Sequence, residues 1–285
     1  MSSQVWLVTG SSRGLGRHIV EAALADGARV VATARDPDTL ADLVARHPDR
    51  VRAIALDVTD PTAARSAVQS AIDAYGRLDV LVNNAGYGQL GPFEQLDEAA
   101  FRAQIDANFY GVVNVTRAAL PVMRAQRGGR ILQISSVGGR TAVPGLTAYQ
   151  AAKWAVGGFS EALSQEVAPL GIRISVLEPG GMRTGWGEVA GRDLPEIWPE
   201  YRPSVGAVAE LLTHYAGKEN SDPAKVALAV LTVAREEDPP LHLLLGSDAL
   251  HFVDAAESAR TAQAQRWRPL SVSVDHGAPV LPSLP

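Results

Sequence analysis

Short apolar runs rich in β-branched residues alternate with longer segments of helical period along most of this chain, and that alternation limits the fold more than any other feature. The runs are 4–8, 29–33, 51–56, 80–82, 130–134, 173–177 and 241–245, and the helical patterns between them cover 15–26, 37–46, 61–75, 98–125, 148–170 and 224–236. Strand–helix–strand units of this kind close as parallel crossovers. They predict an α/β fold, a doubly wound parallel sheet of about seven strands with helices on both faces. Two helix starts are explicit, because Asp36-Pro37 and Asp60-Pro61 each put a capping acid before a proline at the first helical position. At 285 residues the chain suffices for a single large domain of this type, and it shows no internal repeat.

Two segments break the alternation. Residues 180–223 combine Gly, Pro, Trp186, Trp198 and Tyr201 between a strand and a helix, far longer than the usual connection of about 2 to 6 residues. They are expected to form an insertion that covers a substrate, with an irregular surface loop as the alternative. Residues 266–285, with prolines at 269, 279, 282 and 285, lack a helical period and are expected to form an extended or partly disordered tail after a domain of 1–265.

A net charge of −5 with scattered Lys and Arg offers no footprint for nucleic acid. The chain has no cysteine, and its six histidines show no i, i+4 pairing, so disulfides and thiolate metal centres are excluded and no metal site is signalled. Met1 leads into a short apolar run without a basic segment, and no stretch of about 18 apolar residues follows. A soluble cytoplasmic protein without membrane contact is expected.

Directly after the first run stands Thr9-Gly10-Ser11-Ser12-Arg13-Gly14-Leu15-Gly16, leading into an amphipathic helix. Glycines let a backbone approach a pyrophosphate, and the unpaired N–H groups and positive dipole end of the helix favour its charge. A structural link between strand and helix uses glycine as well, so the turn alone does not decide. Cofactor choice is a question of charge. A site for NAD places an acid about 20 residues further on, where it accepts from the ribose 2′-hydroxyl and repels a 2′-phosphate. The second run ends instead in Thr33-Ala34-Arg35, and Arg13 in the turn supplies another guanidinium suited to a phosphate. Two solvated surface arginines are the alternative. Asp36 is a further candidate for the 2′-hydroxyl, but its place before Pro37 marks it as a helix cap.

Tyr149 and Lys153 lie four residues apart in a helical pattern, hence on one face about one turn apart. A phenol titrating near 10 is a poor acid–base group at neutral pH, and a nearby ammonium favours its phenolate. Lowering that pKa to about 7 requires roughly 4 kcal/mol, more than one exposed ion pair supplies, so a nicotinamide cation and partial desolvation are expected to contribute. In isolation the spacing describes an ordinary helical surface pair. Asn108 interrupts an otherwise apolar helical pattern, and Ser135-Ser136 close the fifth apolar run.

Taken in order, Gly10-x-x-x-Gly14-x-Gly16, Asp57-Val58, Asn83-Asn84-Ala85-Gly86, Asn108, Ser136, Tyr149-x-x-x-Lys153 and Pro179-Gly180 followed by Thr184 make this chain resemble the short-chain dehydrogenase/reductase family. No single motif is decisive, but their joint order and spacing are specific. The resemblance implies a Rossmann-type fold and an NADP(H)-dependent oxidoreductase that transfers a hydride between the nicotinamide and a carbonyl or alcohol substrate, as a ketone or aldehyde reductase. It assigns Asn108, Ser136, Tyr149 and Lys153 to catalysis. Ser136 would orient the substrate carbonyl and Tyr149 supply the proton, while Lys153 would also hold the nicotinamide ribose. Asn108 would connect the proton relay to solvent through a helix distortion and an ordered water.

Cofactor binding falls by the same resemblance to Gly10, Ser12, Arg13, Gly14, Leu15, Gly16, Arg35, Asp57, Val58, Asn84, Ala85, Gly86, Tyr149, Lys153, Pro179, Gly180, Met182 and Thr184. Asp57 would meet the adenine amino group, or else simply end a strand in a turn. The competing readings are oxidation of a steroid, retinoid or sugar alcohol, and a noncatalytic NADP(H)-binding redox sensor, although a sensor of this family is expected to have lost the tyrosine or the lysine. Leu90, Phe93, Val143, Leu146, Trp186 and Trp198 suggest an apolar or aromatic pocket. The small residues Ala151, Ala152, Ala155, Gly157 and Gly158, with Trp154 and Phe159, suggest a helix face for a two-fold homodimer, with a tetramer as the alternative. A helix around 249–264 and the tail would cover the last strand.

Overall fold

In the computed structural model, which describes residues 4–192 and 194–277, the apolar runs become parallel strands of one sheet. They are β1 (Val5–Val8), β2 (Arg29–Ala34), β3 (Val51–Ala55), β4 (Val80–Asn83), β5 (Gly129–Ile134), β6 (Ile172–Pro179) and β7 (His242–Leu245). Their order is β3-β2-β1-β4-β5-β6-β7. The chain direction across the sheet reverses between β1 and β4, which opens a crevice outside their carboxyl ends.

The helices are α1 (Gly14–Ala25), α2 (Ala41–Arg46), α3 (Pro61–Tyr75), α4 (Glu98–Ile105), α5 (Gly111–Gln126), α6 (Thr147–Val167), α7 (Trp186–Gly191), α8 (Ala207–Tyr215), α9 (Pro223–Arg235) and α10 (Ser247–Val272). Side chains alternate across the sheet, and both faces are covered. Trp6 and Val8 pack with Ile19 and Leu24 of α1 and Val226 and Val230 of α9. Val5 and Leu7 pack on the opposite face with Val68 of α3, Val115 and Met123 of α5 and Leu163 of α6. Each such side chain contributes about 1.5–3 kcal/mol by leaving water, and this double burial is why β1 is uniformly apolar rather than alternating.

The expected caps form. Asp60 Oδ1 accepts from Thr62 N at 2.7 Å, and Asp36 Oδ1 accepts from Asp38 N at 3.0 Å. The 37–46 pattern divides into a 3-10 turn (Pro37–Leu40) and α2. The 98–125 pattern divides at a π-helical turn, Asp106–Tyr110, between α4 and α5. Its cause is local: Asn108 Nδ2 donates to the Gln104 carbonyl at 2.8 Å, taking an acceptor that the helix ladder would otherwise use.

The 180–223 insertion is largely helical rather than irregular. It contributes α7 and α8, whose Trp186 and Leu212, with Leu194 and Ile197, pack on Leu90, Leu146, Tyr149 and Val205. The expected tail starts inside α10, which continues to Val272 with Pro269 in its interior. Proline fits the φ of a helix and removes one hydrogen bond, and the carbonyl it deprives belongs to Gln265, where solvent reaches the chain. The prolines at 279, 282 and 285 lie outside the described residues. At the other end of α10, Ala249 and Val253 are buried against the body.

On the small-residue face of α6, Ala152 is fully buried and Gly157 faces His242. Both therefore point inward rather than toward a partner, while Ala151, Trp154 and Gly158 are exposed. No helix among the described residues is long and apolar enough to cross a membrane.

Candidate active site

The turn after β1 admits only glycine at two points. Gly10 has φ +67°, and a Cβ there would lie 2.9 Å from Ala85 Cα; a Cβ on Gly16 would lie 2.3 Å from the Gly10 carbonyl oxygen. Asn84, just beyond β4, laces the turn in place, its Nδ2 donating to the carbonyls of Thr9 at 2.9 Å and Gly10 at 3.1 Å. Thr9 Oγ1 accepts from Ala85 N at 3.0 Å. Gly16 thus lies beneath the turn, and α1 begins at its rim with no side-chain cap on its first amides. Uncapped amides at a helix N-terminus are donors for an anion.

A cleft of about 660 Å³ runs from this turn across the carboxyl ends of the strands. Gly10, Ser12, Arg13, Gly14 and Leu15 of the turn line it with Arg35, Asp57, Val58, Asn84 and Ala85; Thr184 stands against Gly14, Gly86 beside Asn108 and Lys153, and Tyr149 and Met182 complete the lining among the expected residues. Arg13 and Arg35 reach it with no ion-pair partner among the described residues. Asp36, by contrast, is occupied as a cap. Asp57 ends its strand in a turn and also faces the cleft: its Oδ1 accepts from Thr59 N at 2.9 Å and Thr59 Oγ1 at 2.7 Å. Those bonds, assisted by the Arg35 charge, hold its carboxyl below the usual range.

At the reactive end Tyr149 and Lys153 descend from the first turns of α6, both buried. Lys153 Nζ donates to the Ile134 carbonyl at 2.8 Å and lies 5.7 Å from the centre of the Tyr149 ring. Gly86 separates it from Asn108, since a Cβ on Gly86 would lie 2.4 Å from Asn108 Oδ1 and 3.7 Å from Lys153 Nζ. Asn108 is held in turn by Tyr87, donating to its carbonyl at 2.8 Å and accepting from its N–H at 3.2 Å. Ser136 stands behind the cleft lining but close enough to Tyr149 to favour its phenolate.

The electrostatics correct the expectation for the tyrosine. Burial pushes the Tyr149 phenol above its ordinary value, and the nearby Ser136 side chain opposes this only in part. Desolvation favours the neutral form of an acid, so it does not assist phenolate formation. The ammonium that was expected to help is turned to Ile134, and burial lowers Lys153 to about 8. Pro179 and Gly180 also lie behind the lining: Pro179 ends β6, and a Cβ on Gly180 would meet the Asp248 carboxylate at 2.4 Å.

The sequence pattern of the family described as short chain dehydrogenase matches residues 4–194. This chain is a member of the short-chain dehydrogenase/reductase family. The dehydrogenase is 48% identical over 272 residues to the oxidoreductase BOA17 of Botryotinia fuckeliana, covering 95% of this chain and 99% of that one. It superimposes on a short-chain dehydrogenase from Streptomyces avermitilis with a TM-score of 0.89 at 41% identity, over 96% of this chain and 100% of the other. A short-chain dehydrogenase from Burkholderia cenocepacia, solved in complex with NADP, gives a TM-score of 0.72 at 27% identity, over 93% and 97% of the two chains. The chain is therefore an oxidoreductase of Rossmann-type architecture.

The 180–223 insertion of this short-chain dehydrogenase adds residues that sequence reasoning missed. Trp186 and Val189 of α7 and Arg192 at its C-cap line the cleft; Trp186 is among the expected pocket residues, and the other two follow it at helical spacing, which was the available signal. Tyr87, which holds Asn108, follows the Asn83–Gly86 motif directly. Of the expected pocket residues, Leu90 and Leu146 are buried beside Tyr149 and Trp186. Phe93, Val143 and Trp198 are instead 65%, 42% and 47% exposed and are not among the residues that line the cleft. Phe93 packs edge-on against Phe101 instead.

Proposed function

We propose that this oxidoreductase uses NADP(H) and acts as a ketone or aldehyde reductase, with Tyr149 as the proton donor. The observation that carries the reading is the setting of Tyr149. Its phenol is buried, close to Ser136 and one helical turn from Lys153, and it opens onto the cleft that also receives Arg13 and Arg35. The uncapped amides of α1 and the glycine cradle fit a pyrophosphate, and the two arginines fit a 2′-phosphate. The NADP complex of the Burkholderia cenocepacia relative supports the same choice.

When bound, the nicotinamide supplies or takes up the hydride. The chain's own residues do the remainder. Ser136 orients the carbonyl oxygen, and Tyr149 releases its proton to that oxygen. Lys153 holds the nicotinamide ribose and, with a pKa of about 8, exchanges protons near neutral pH. Asn108, fixed by Tyr87 and the π-helical turn, carries the relay outward. Burial keeps Tyr149 protonated at neutral pH, which is the form that reduction of a carbonyl requires, whereas alcohol oxidation would begin from the phenolate.

The test is NADPH oxidation with a panel of ketones, aldehydes, steroids and quinones. Turnover of at least one carbonyl is expected. Alcohol-dependent reduction of NADP without any carbonyl turnover would reverse the direction, and tight NADPH binding without chemistry in either direction would make the protein a binding module.

A further inference from the structure

We infer that α10 is a positioning element of the reaction centre, with Glu257 and Arg260, one turn apart on a single face, holding the turn that carries Ser136. The inference rests on the reading of Ser136 as the residue that orients the substrate. Ser136 caps a short 3-10 turn (Val137–Gly139), its Oγ accepting from Gly138 N at 3.0 Å. The turn closes on Arg140 and Thr141, whose N–H groups both donate to the Val137 carbonyl, at 3.0 and 2.9 Å. Whatever fixes Arg140 and Thr141 therefore fixes the base on which Ser136 stands.

Two independent contacts from α10 reach those residues. The Arg140 guanidinium donates to Glu257 with one nitrogen and, with the other, to Glu178 of β6 at 3.3 Å. Glu178 is only 1% exposed, and its second oxygen pairs with His242 Nδ1 at 3.1 Å, so this side of the clamp is anchored in the sheet. On the neighbouring residue, Trp154 Nε1 donates to the Thr141 carbonyl at 3.4 Å, and the Arg260 guanidinium covers the Trp154 ring at 5.4 Å from its centre. Glu257 and Arg260 thus meet adjacent residues of the serine turn, one directly and one through Trp154. Glu178 alone would leave the guanidinium fork of Arg140 satisfied on one side; Glu257 closes it on the other. Glu257, Arg260 and Arg140 are positioning residues and touch neither substrate nor cofactor.

The full-length chain carrying Glu257→Gln tests this, with Glu257→Asp as the conservative rescue and Arg260→Ala as the second, independent variant. Three readouts are taken: kcat and KM for the best carbonyl, the NADPH dissociation constant by calorimetry, and hydrogen–deuterium exchange of the amides in 138–141. A displaced reacting group costs up to about 10²-fold in rate. Glu257→Gln and Arg260→Ala are expected to lower kcat roughly tenfold within that range, to leave the NADPH constant unchanged, and to speed exchange in 138–141 but not in the glycine turn 10–16. Glu257→Asp restores both. In a Ser136→Ala background the kcat loss disappears, because the two act through one group. Unchanged exchange in 138–141, or an equal kcat loss in the Ser136→Ala background, overturns the inference. The exchange readout requires no turnover. If the wild type reduces no carbonyl but Glu257→Gln still loosens 138–141, the reductase reading falls and the clamp stands.

Discussion

Trp186 lies across Tyr149, the two ring centroids 5.1 Å apart and their planes inclined at 52°. Gly88 abuts the same indole, since a Cβ there would come within 2.5 Å of Trp186 Cζ2. Trp186 therefore limits the size of what can approach the phenol. Trp186→Ala is expected to raise KM about 10- to 100-fold for a small preferred carbonyl, the scale of one lost apolar wall, while bulkier carbonyls gain turnover. Steady-state kinetics over a graded series of ketones checks this. An equal loss for every size would show that Trp186 only supports the fold.

Arg35 approaches Asp57 and Tyr87 closely enough for its charge to be felt at both. An aspartate there would repel a 2′-phosphate and accept from a 2′-hydroxyl. Arg35→Asp is expected to weaken NADPH binding about 10- to 100-fold, the worth of one charge-assisted hydrogen bond, and to bring NADH level with or ahead of it. Calorimetry with both cofactors decides. A wild type that binds NADH as tightly as NADPH removes the basis of the cofactor assignment.

Lys153 titrates at about 8 rather than 10.5 because burial penalises its charge. A lysine with a depressed folded pKa destabilises the native state while both states are protonated, here below about pH 8. The penalty fades as pH rises toward 10.5 and is absent above it. A separation of that size amounts to roughly 3 kcal/mol, against about 1 kcal/mol for the bond from Nζ to Ile134. Lys153→Met is therefore expected to unfold in urea with greater stability than wild type at pH 7, by about 2 kcal/mol, and with lower stability above pH 10.5. Lower stability at pH 7 would contradict the penalty.

The outer face of α6, where Ala151, Trp154 and Gly158 are exposed, is the expected contact of a two-fold dimer, and α10 covers the region beside β7. Light scattering at micromolar concentration is expected to report a dimer, which becomes a tetramer on deletion after Gly246 if the shortened chain folds. A stable tetramer of the whole chain removes the blocking role of α10.

Most of the fold was legible because it depends on short-range chemistry. Strands buried on both faces must be uniformly apolar, as 5–8 are, and Asp60 before Pro61 announces α3 to the residue. The course of α10 past Arg266 was not legible: proline is weighed as a breaker, yet Pro269 lies near the end of an exposed helix, where one lost bond is tolerated. In the site, motif order brings the glycine turn, Tyr149 and Lys153 to one cleft, but the direction of the Tyr149 shift depends on burial and on where Lys153 Nζ points. The clamp on Arg140 joins it to Glu178 and Glu257, partners 38 and 117 residues away, and no local pattern marks such a pair.

Replacing Tyr149 by phenylalanine removes the proposed proton donor and little else, because the ring keeps its place against Trp186 and in the buried cluster with Leu90 and Leu146. The loss of general acid assistance is worth about 10² to 10⁴ in rate. Pre-steady-state NADPH oxidation by Tyr149→Phe, measured with saturating carbonyl alongside calorimetric NADPH binding, is expected to show a rate reduced within that range and a dissociation constant equal to that of wild type. A Tyr149→Phe protein that reduces the carbonyl at a near-normal rate would show that another group delivers the proton, and the assignment of the site would fail.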